Sequence, residues 1–345
     1  MSAGDTDSAT GELDRAEGMS HAADTELLQT LALMQRGRYQ QATAYSAHSA
    51  GAHLDAPQAL AMHAWLLALG EQREHAGVQV TAALQRRPDD LALLALQTQL
   101  RALRPGSEWV GAEPDSVAAR FIQPGPVSIG AIVPNNARVV ATGVLLDGSH
   151  TVLVPLQALQ AATSIWVRSS LGAARVATLT RRIDAVGSGA GLALLTLNQP
   201  LTLPPQHAGL LRASADAFAG SPGHVVGMLA STEAKAAWPA MNTGFIGRSA
   251  ASGVQALGID TAQSAPGAPV FDRAGRWIGV VGAPFAEASG NARRGKTLVT
   301  LSQLASALGN TLLAVPVAGN SANLTPTDTY ERALPLVLQV MVLRE

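Results

Sequence analysis

The 345-residue sequence predicts a multidomain α + β chain, in which an N-terminal antiparallel helical segment precedes a C-terminal all-β region. Two changes in composition support this division. Residues 24–103 are rich in Ala, Leu, Gln and Arg at helical spacing and contain few β-branched residues. After the turn-forming residues 104–115, short runs of Val, Ile, Leu and Thr alternate with Gly, Pro, Asn and Ser about every 8–12 residues, which is typical of β-sandwiches and barrels.

The same patterns divide the chain into five parts. They are a flexible acidic tail at 1–23, a helical domain at 24–103, a linker at 104–118, a β domain at 119–310 and a C-terminal extension at 311–345. The tail is polar and aperiodic, so it buries too little surface to offset the entropy lost on ordering. The candidate strands are Val127–Val133, Val139–Leu146, Thr151–Val154, Ile165–Arg168, Arg175–Ile183, Leu192–Leu197, His224–Leu229, Val254–Ile259, Pro269–Phe271, Trp277–Val281 and Thr297–Thr300.

Two segments of the helical domain repeat at a fixed distance. Residues 37–42 recur loosely as residues 70–76, and Ala42 and Ala76 are 34 residues apart. The spacing and the residue types resemble the tetratricopeptide repeat family. The residues that carry the resemblance are Leu33, Gly37, Tyr39, Ala42 and Pro57 in one repeat, and Trp65, Leu69, Gly70, Ala76, Ala83 and Pro88 in the next. The alternative is a plain bundle of helical hairpins, and in either case we expect the two large aromatic side chains to be core residues.

Four phrases of the β domain resemble, in sequence and order, the trypsin-like serine peptidases of the HtrA type. The phrases are ATGVLLDG at 141–148, VLVPLQAL at 152–159, GLALLTL at 191–197 and PGAPVFDRAGRWIGV at 266–280. The resemblance covers about residues 120–308. It implies a trypsin-like pair of six-stranded antiparallel β-barrels followed by a C-terminal helix, which we place at Leu301–Leu308.

The resemblance also indicates where the catalytic triad of the family falls. Its His position falls on Gln157, its Asp position on Gly191 and its Ser position on Pro266. A Gln amide takes no proton near neutral pH, Gly has no side chain, and Pro has neither a nucleophilic oxygen nor the backbone N–H that helps to form the oxyanion hole. We therefore predict a pseudoprotease with a degenerate triad and no enzymatic activity.

Three functions are compatible with these sequence features. The first is a non-catalytic protein-interaction or scaffold protein that binds a protein or peptide partner within a bacterial assembly. An extended segment could add as a strand in the substrate cleft, whose candidate residues are Gln157, Gly191, Ser264, Pro266 and Gly267. The alternative is a serine hydrolase with a non-standard nucleophile such as Ser264. A third possibility is a purely structural subunit, and the oligomeric state stays open.

Other polar residues are assigned structural roles. His150, His207 and His224 are placed in a turn, a loop and a strand edge, away from the catalytic phrase. Asp260 is interpreted as a turn-capping residue. We expect no cofactor and no metal site, because the sequence contains neither a His-x-x-x-His motif nor a clustered carboxylate spacing.

The C-terminal extension contains a second resemblance to the same peptidases. Residues 325–332 predict a helix with an Asp328/Glu331 capping pair, and residues 336–343 predict a buried strand. Together they look like the helix and first strand with which the peptidases open, a role that we assign upstream to Ser116–Val133. The strand is therefore either an extra edge element, paired with its own domain or a neighbouring chain, or a vestige, and we expect it to be covered.

Charge and composition exclude several classes of protein. The chain has 24 basic and 25 acidic side chains, so it has no excess of positive charge with which to bind nucleic acid. With no cysteine it forms no disulfide and uses no thiol chemistry. No apolar run is long enough to span a membrane, and the acidic N-terminus lacks the features of a signal peptide. We expect a cytoplasmic protein, or a periplasmic one if the N-terminus is processed or truncated.

Overall fold

The chain forms two compact units. One comprises residues up to 129 together with 236–238, and the other comprises residues 130–235 together with 239–345. The computed structural model describes residues 6–102, 125–186, 190–229, 231, 233–249, 254–261, 266–285, 295–319 and 322–344. The predicted linker at 104–118 lies outside the described residues.

The first unit contains six α-helices within its described residues. They are α1 (Thr6–Met19), α2 (Ala23–Gln35), α3 (Tyr39–Ala52), α4 (Pro57–Leu69), α5 (Arg73–Arg86) and α6 (Leu91–Ala102). The first residues of α2, α4 and α6 are 34 residues apart, and so are those of α3 and α5. The regular spacing that the sequence indicates is therefore present in the helix boundaries themselves.

Helix α4 forms the centre of the first unit. Pro57 occupies its first turn, where a missing N–H is tolerated, and nearly all of its side chains are buried. The hydroxyl of Tyr39 donates a hydrogen bond to the carbonyl of Leu66 over 2.8 Å. Tyr39 and Trp65 are both buried, which confirms that these aromatic residues belong to the core.

Helix α1 replaces much of the flexible tail that the composition predicts. Within the helix, Arg15 forms an ion pair with Glu12 over 2.6 Å. The amide of Gln29, on α2, donates to the carboxylate of Asp14 over 2.6 Å. The composition predicts a tail because the segment has little apolar surface to bury. In the structure, polar side chains also hold this helix to α2.

The second unit contains a closed first barrel. Its strands are β1 (Ile129–Gly130), β2 (Arg138–Leu145), β3 (Thr151–Pro155), β4 (Ala162–Ser169), β5 (Ala173–Val186), β6 (Ala190–Leu197) and β13 (Val337–Arg344). The order β5-β4-β13-β2-β3-β6 closes through the β5–β6 pairing, and β1 lies beyond β5. The barrel core contains Val154, Val167, Leu195, Leu338 and Val340.

Strand β13 has a position that the sequence left open. It pairs antiparallel with β2 on one side and with β4 on the other, so it is neither an edge strand nor a vestige. The assignment of the opening strand to Ser116–Val133 is wrong for the described part of that range, where only the short β1 forms at the far side of β5. The end of the chain therefore supplies an interior strand of the first barrel.

The second barrel is also closed and antiparallel. Its strands, in the order of the closed sheet, are β10 (Pro269–Asp272), β11 (Trp277–Phe285), β12 (Gly295–Thr300), β9 (Gln255–Gly258), β8 (Ala240–Ser249) and β7 (Pro222–Gly227). Together with the first barrel, it confirms the predicted double barrel. Strand β8, with 10 residues, is longer than the candidate strands that the sequence predicts for the second barrel.

Short α-helices lie between β12 and β13 in the described residues. They are α7 (Leu301–Leu308), α8 (Asn310–Leu313) and α9 (Pro326–Ala333). Helix α7 begins at a capping box formed by Thr300 and Gln303, at the position predicted for it. The box of α9 is formed by Thr325 and Asp328, which corrects the predicted Asp328/Glu331 pair. None of the helices in the described residues combines the length and apolarity needed to span a bilayer.

Candidate functional site

The three residues aligned with the triad lie in three separate elements of the second unit. Gln157 is exposed in a 3₁₀ turn at Leu156–Leu159, directly after β3. Gly191 is buried near the start of β6, and Pro266 is exposed in the turn that precedes β10. Their relative positions depend on how β3, β6 and that turn pack.

Strand pairing brings Gly191 to the 3₁₀ turn. Strands β3 and β6 are antiparallel neighbours with Pro155 opposite Leu192. A Cβ atom added to Gly191 would lie 3.0 Å from Leu156 Cδ2 and 3.0 Å from the carbonyl oxygen of Asp184. A side chain at this position would therefore make unusually tight contacts, and the Leu156 side chain or the neighbouring carbonyl groups would have to shift by a few tenths of an ångström.

The turn with Pro266 reaches the same place from the second barrel. The carbonyl of Pro266 accepts a hydrogen bond from the backbone N–H of Thr142 over 2.9 Å. Gly267 has φ +90°, and an added Cβ would lie 2.5 Å from Pro155 Cδ and 2.6 Å from the carbonyl oxygen of Thr142. The three aligned positions therefore surround the end of β3, and we call this place the Pro155 junction.

Thr142 joins the two barrels beneath the Pro155 junction. It lies on β2, is fully buried, and binds Pro266 through its N–H as described above. Its hydroxyl oxygen accepts a hydrogen bond from the backbone N–H of Met228, which follows β7, over 3.0 Å. In the sequence Thr142 is only one residue of the phrase at 141–148, because its role arises from a contact with a residue 86 positions away.

The side chains at the junction have limited acid–base chemistry. Gln157 offers an amide, Gly191 offers no side chain, and Pro266 offers no N–H. Ser264 lies outside the described residues. Gln157, Gly191, Pro266 and Gly267, four of the five candidate cleft residues, meet at the junction. That these positions correspond to the triad, and that they form a binding cleft, stay predictions.

The three histidines that the sequence assigns to structural roles in this unit lie in the turn, loop and strand predicted for them. His150 Nδ1 lies 2.9 Å from the hydroxyl of Ser149, and the carboxylate of Asp147 accepts the backbone N–H groups of 149–151 instead of an imidazole. His207 Nε2 lies 2.7 Å from the carbonyl oxygen of Arg332. Burial lowers the pKa of His224 on β7 below its ordinary value.

Asp260, which the sequence predicts to cap a turn, also interacts electrostatically with Lys296. The ammonium group of Lys296, on β12, donates to the carbonyl oxygen of Thr261 over 2.7 Å. Burial lowers the pKa of Lys296, and the negative charge of Asp260 opposes that change. A lysine and an aspartate of opposite charge thus compensate each other directly before the segment that leads to Pro266.

Comparisons with known proteins bear on the fold of the second unit. No family model matches the sequence, and no curated protein matches it. Among solved structures, the inactive form of the Rv3671c protease of M. tuberculosis H37Rv is 18% identical, with a TM-score of 0.38, over 51% of this chain and 87% of that chain.

Two further solved structures show the same level of similarity. The HtrA-type protease AlgW with a tripeptide is 16% identical, with a TM-score of 0.38, over 52% of this chain and 59% of that chain. Kallikrein-related peptidase 10 is 17% identical, with a TM-score of 0.38, over 52% of this chain and 96% of that chain. At these identities the likeness concerns the fold alone.

These findings correct one prediction. The sequence predicts that the chain is not an enzyme, whereas the solved structures reported above are two proteases and a peptidase. The described residues do not show that its catalytic constellation is degenerate, so the prediction of a chain without enzymatic activity is wrong as it stands. The two closed six-stranded antiparallel barrels, with their strand order, give the second unit the trypsin-like double-barrel fold.

Proposed function

We propose that this chain binds an extended polypeptide segment of a partner protein at the Pro155 junction. The observation that carries the proposal is the convergence of the 3₁₀ turn, the start of β6 and the turn of Pro266 on one place. Gly191 and Gly267 are buried there; a side chain at Gly267 would clash with Pro155 and Thr142, and one at Gly191 would be tightly crowded, while Gln157 and Pro266 are exposed beside them. Glycines that bring backbone segments together suit a ligand that is recognised through its main chain.

The neighbouring strand favours an extended ligand. The backbone N–H of Val281, on β11, donates to the carbonyl of Ala268, two residues after Pro266. Beyond this point the register between β11 and β12 shifts between Val281 and Pro284. Because β11 pairs on both sides in the closed barrel, we propose that an added strand would pair with the stretch where the regular ladder to β12 is interrupted, which gives affinity without a special side chain.

We further propose that the first unit is a tetratricopeptide-like arm that contributes to partner binding. The support is the 34-residue distance between the starts of α2, α4 and α6, which equals the period of that repeat. Gly70 adds to it, because a Cβ atom there would overlap the hydroxyl of Tyr39 and thus displace the Tyr39–Leu66 hydrogen bond.

The binding proposal can be tested with peptides selected from a random heptapeptide phage library on the full chain. A fluorescein-labelled selected peptide is titrated with the protein and followed by fluorescence anisotropy. Gln157→Arg should weaken binding at least about tenfold, because it adds a long cation to the junction. Asn198→Arg is the matched control: it is an exposed amide at the other end of β6, about 20 Å from Gly191, and should bind as the parent chain does.

The same peptides decide whether the bound segment is also cleaved. Each titrated sample is analysed by mass spectrometry for peptide fragments, and the chain is treated with a fluorophosphonate probe. Cleavage and labelling that disappear in Ser264→Ala would make the protein a serine hydrolase that uses this nucleophile. A library that yields no binder, or equal effects of Gln157→Arg and Asn198→Arg, contradicts the proposed function.

A further inference from the structure

A cluster of imidazole and carboxylate groups lies in the first unit, far along the chain from the trypsin-like barrels. His21 precedes α2, Glu26 is in the first turn of α2, and His53 directly follows α3. His21 Nδ1 is 2.9 Å from Glu26 Oε1, and His53 Nε2 is 3.3 Å from Glu26 Oε2. One donor atom of each of the three residues lies within 4.8 Å of the others.

The carboxylate at the centre of this cluster is completely buried. Glu26 has 0% of its side chain exposed, and neither of its carboxylate oxygens has a hydrogen-bond partner among the described residues. Nε2 of His53 also has no such partner, although it lies close to the carboxylate. A buried carboxylate without well-directed hydrogen bonds is strongly unfavourable, and a cation shared by the three residues would compensate it.

The donor atoms have the type and spacing that a transition metal requires. Two imidazole nitrogens and one carboxylate oxygen form one of the ligand sets of zinc. Tetrahedral ligands with bonds of about 2.0–2.1 Å lie roughly 3.3 Å from one another. The separations of 2.9 Å from His21 Nδ1 to Glu26 Oε1 and of 3.3 Å from His53 Nε2 to Glu26 Oε2 are close to that distance. They involve the two oxygens of one carboxylate, so an ion bound through a single oxygen would require a small rotation of this group.

His48 completes the surroundings of His21. Its Nε2 lies 3.4 Å from Nε2 of His21, which is the nitrogen on the side of the ring away from Glu26. A histidine that binds a metal through one nitrogen commonly donates the N–H of the other to an acceptor that fixes its orientation. His48 is therefore placed to accept that hydrogen bond when His21 binds a metal through Nδ1.

We propose that His21, Glu26 and His53 bind one divalent transition-metal ion, and that zinc is the ion best matched by these ligands. The side chain of His21 is 51% exposed, which gives the ion a path from solvent and leaves room for a water molecule as the fourth ligand. The ion would connect the segment before α2, helix α2 itself and the end of α3. Local sequence motifs do not reveal this site, because its ligands are spaced by 5 and 27 residues and come together only through the packing of α2 against α3.

The test uses the full chain, freed of metal with a chelator and then exchanged into chelator-free buffer. Titration calorimetry with Zn²⁺ should show one ion per chain, and Co²⁺ should give the visible absorption of a tetrahedral site. His21→Ala should weaken binding more than about 100-fold, because it removes a ligand, and His48→Gln about 10- to 100-fold, because it removes the group that orients one. His75→Ala, an exposed histidine of α5, is the control and should bind as the parent chain does.

Stability gives a second readout that does not depend on the calorimetry. Zn²⁺ should raise the Tm of the parent chain and of His75→Ala, but not that of His21→Ala, because a bound ion stabilises the folded state. His21 is half-exposed, so this variant should fold, and Glu26→Gln tests the buried ligand with an isosteric change. Absence of Zn²⁺ binding by the parent chain, or unchanged binding by a His21→Ala/His53→Ala double variant, would overturn the proposal.

Discussion

Arg168 and Gln339 lie opposite each other on adjacent strands of the first barrel, and Nη1 of Arg168 donates a hydrogen bond to Oε1 of Gln339 over 2.8 Å. Both side chains are almost completely buried. The amide of Gln339 in turn donates to the carbonyl of Lys235 over 2.9 Å, and Arg168 also donates to the carbonyl of Ala234. Burial lowers the pKa of Arg168 to about 10, which still leaves the guanidinium protonated at neutral pH, and these acceptors offset part of the cost of burying its charge.

The first prediction concerns this pair. Gln339→Leu should lower the free energy of unfolding by about 2 kcal/mol, because it removes the acceptor of a buried charged donor. Gln339→Glu keeps an acceptor next to Arg168 and should cost less. Urea denaturation of both variants measures the difference. Equal stability of Gln339→Leu and the parent chain would show that the pair contributes nothing.

The second prediction follows from the place of β13 between β2 and β4. A chain that ends at Ala333 loses Leu338, Val340 and Val342 from the core of the first barrel and leaves β2 and β4 each with one neighbouring strand instead of two. Its second unit should lose cooperative unfolding, as measured by circular dichroism during urea denaturation. A synthetic peptide of residues 334–344 should restore it in part, whereas a chain that ends at Arg344 should behave as the full chain. Cooperative unfolding of the chain without β13 would contradict this.

The third prediction compares two glycines of the helical unit. A Cβ atom at Gly70, which follows α4, would overlap the hydroxyl of Tyr39, whereas one at Gly77, inside α5, would meet nothing within 4 Å. Gly70→Ala should therefore destabilise the unit by about 1–3 kcal/mol, because the Tyr39 ring has to move. Gly77→Ala should stabilise it by about 0.5–1 kcal/mol, because alanine favours the helix. Thermal unfolding of the two variants measures both effects, and the same sign for both would be inconsistent with the packing described.

The fourth prediction tests the Pro155 junction. Gly267 and Gly220 have nearly the same positive φ, +90° and +89°. An added Cβ would meet Pro155 and Thr142 at Gly267 but nothing within 4 Å at Gly220. Gly220→Ala should cost about 1–2 kcal/mol of stability through backbone strain alone, and Gly267→Ala at least about 1 kcal/mol more. Urea denaturation provides the comparison, and equal losses would argue against close contact at the junction.

The fifth prediction concerns the turn between β2 and β3. Although burial raises the pKa of Asp147, hydrogen bonds from Thr151 and from the backbone N–H groups of 149–151 outweigh it and lower the pKa from 3.8 to about 2. Because the folded pKa is below the unfolded one, the carboxylate stabilises the fold above about pH 4, and this contribution is lost as the pH falls towards 2. Asp147→Asn should cost about 1 kcal/mol at pH 6, after screening by solvent, and almost nothing at pH 2. Unfolding free energies measured at both pH values check this, and a cost that does not change with pH would contradict it.

Much of the β-sheet structure could be predicted because each strand carries its own signal. The short apolar runs at 151–154 and 192–197 place β3 and β6, and Thr300 with Gln303 marks the start of α7. The first helix could not be predicted in the same way. Its sequence is polar, and its contact from Asp14 to Gln29 depends on the position of α2.

The candidate site, like the fold, could be predicted from the sequence only in part. The phrases around Gln157, Gly191 and Pro266 could be found because their order along the chain is informative. That these residues meet at Pro155 could be inferred only from the resemblance, since they are up to 109 residues apart in the sequence. The cluster of His21, Glu26 and His53 carries no regular spacing and therefore no signal of its own.

The sequence by itself determined the two-part architecture, the positions of most strands and the 34-residue spacing of the helices, because each of these depends on side chains that are close together in the chain. The tertiary structure decided where the last strand pairs, how Thr142 joins the barrels and which polar groups surround Glu26. Those outcomes depend on backbone and side-chain groups that come into contact only after packing, and a local pattern of apolar and polar residues contains no information about such partners.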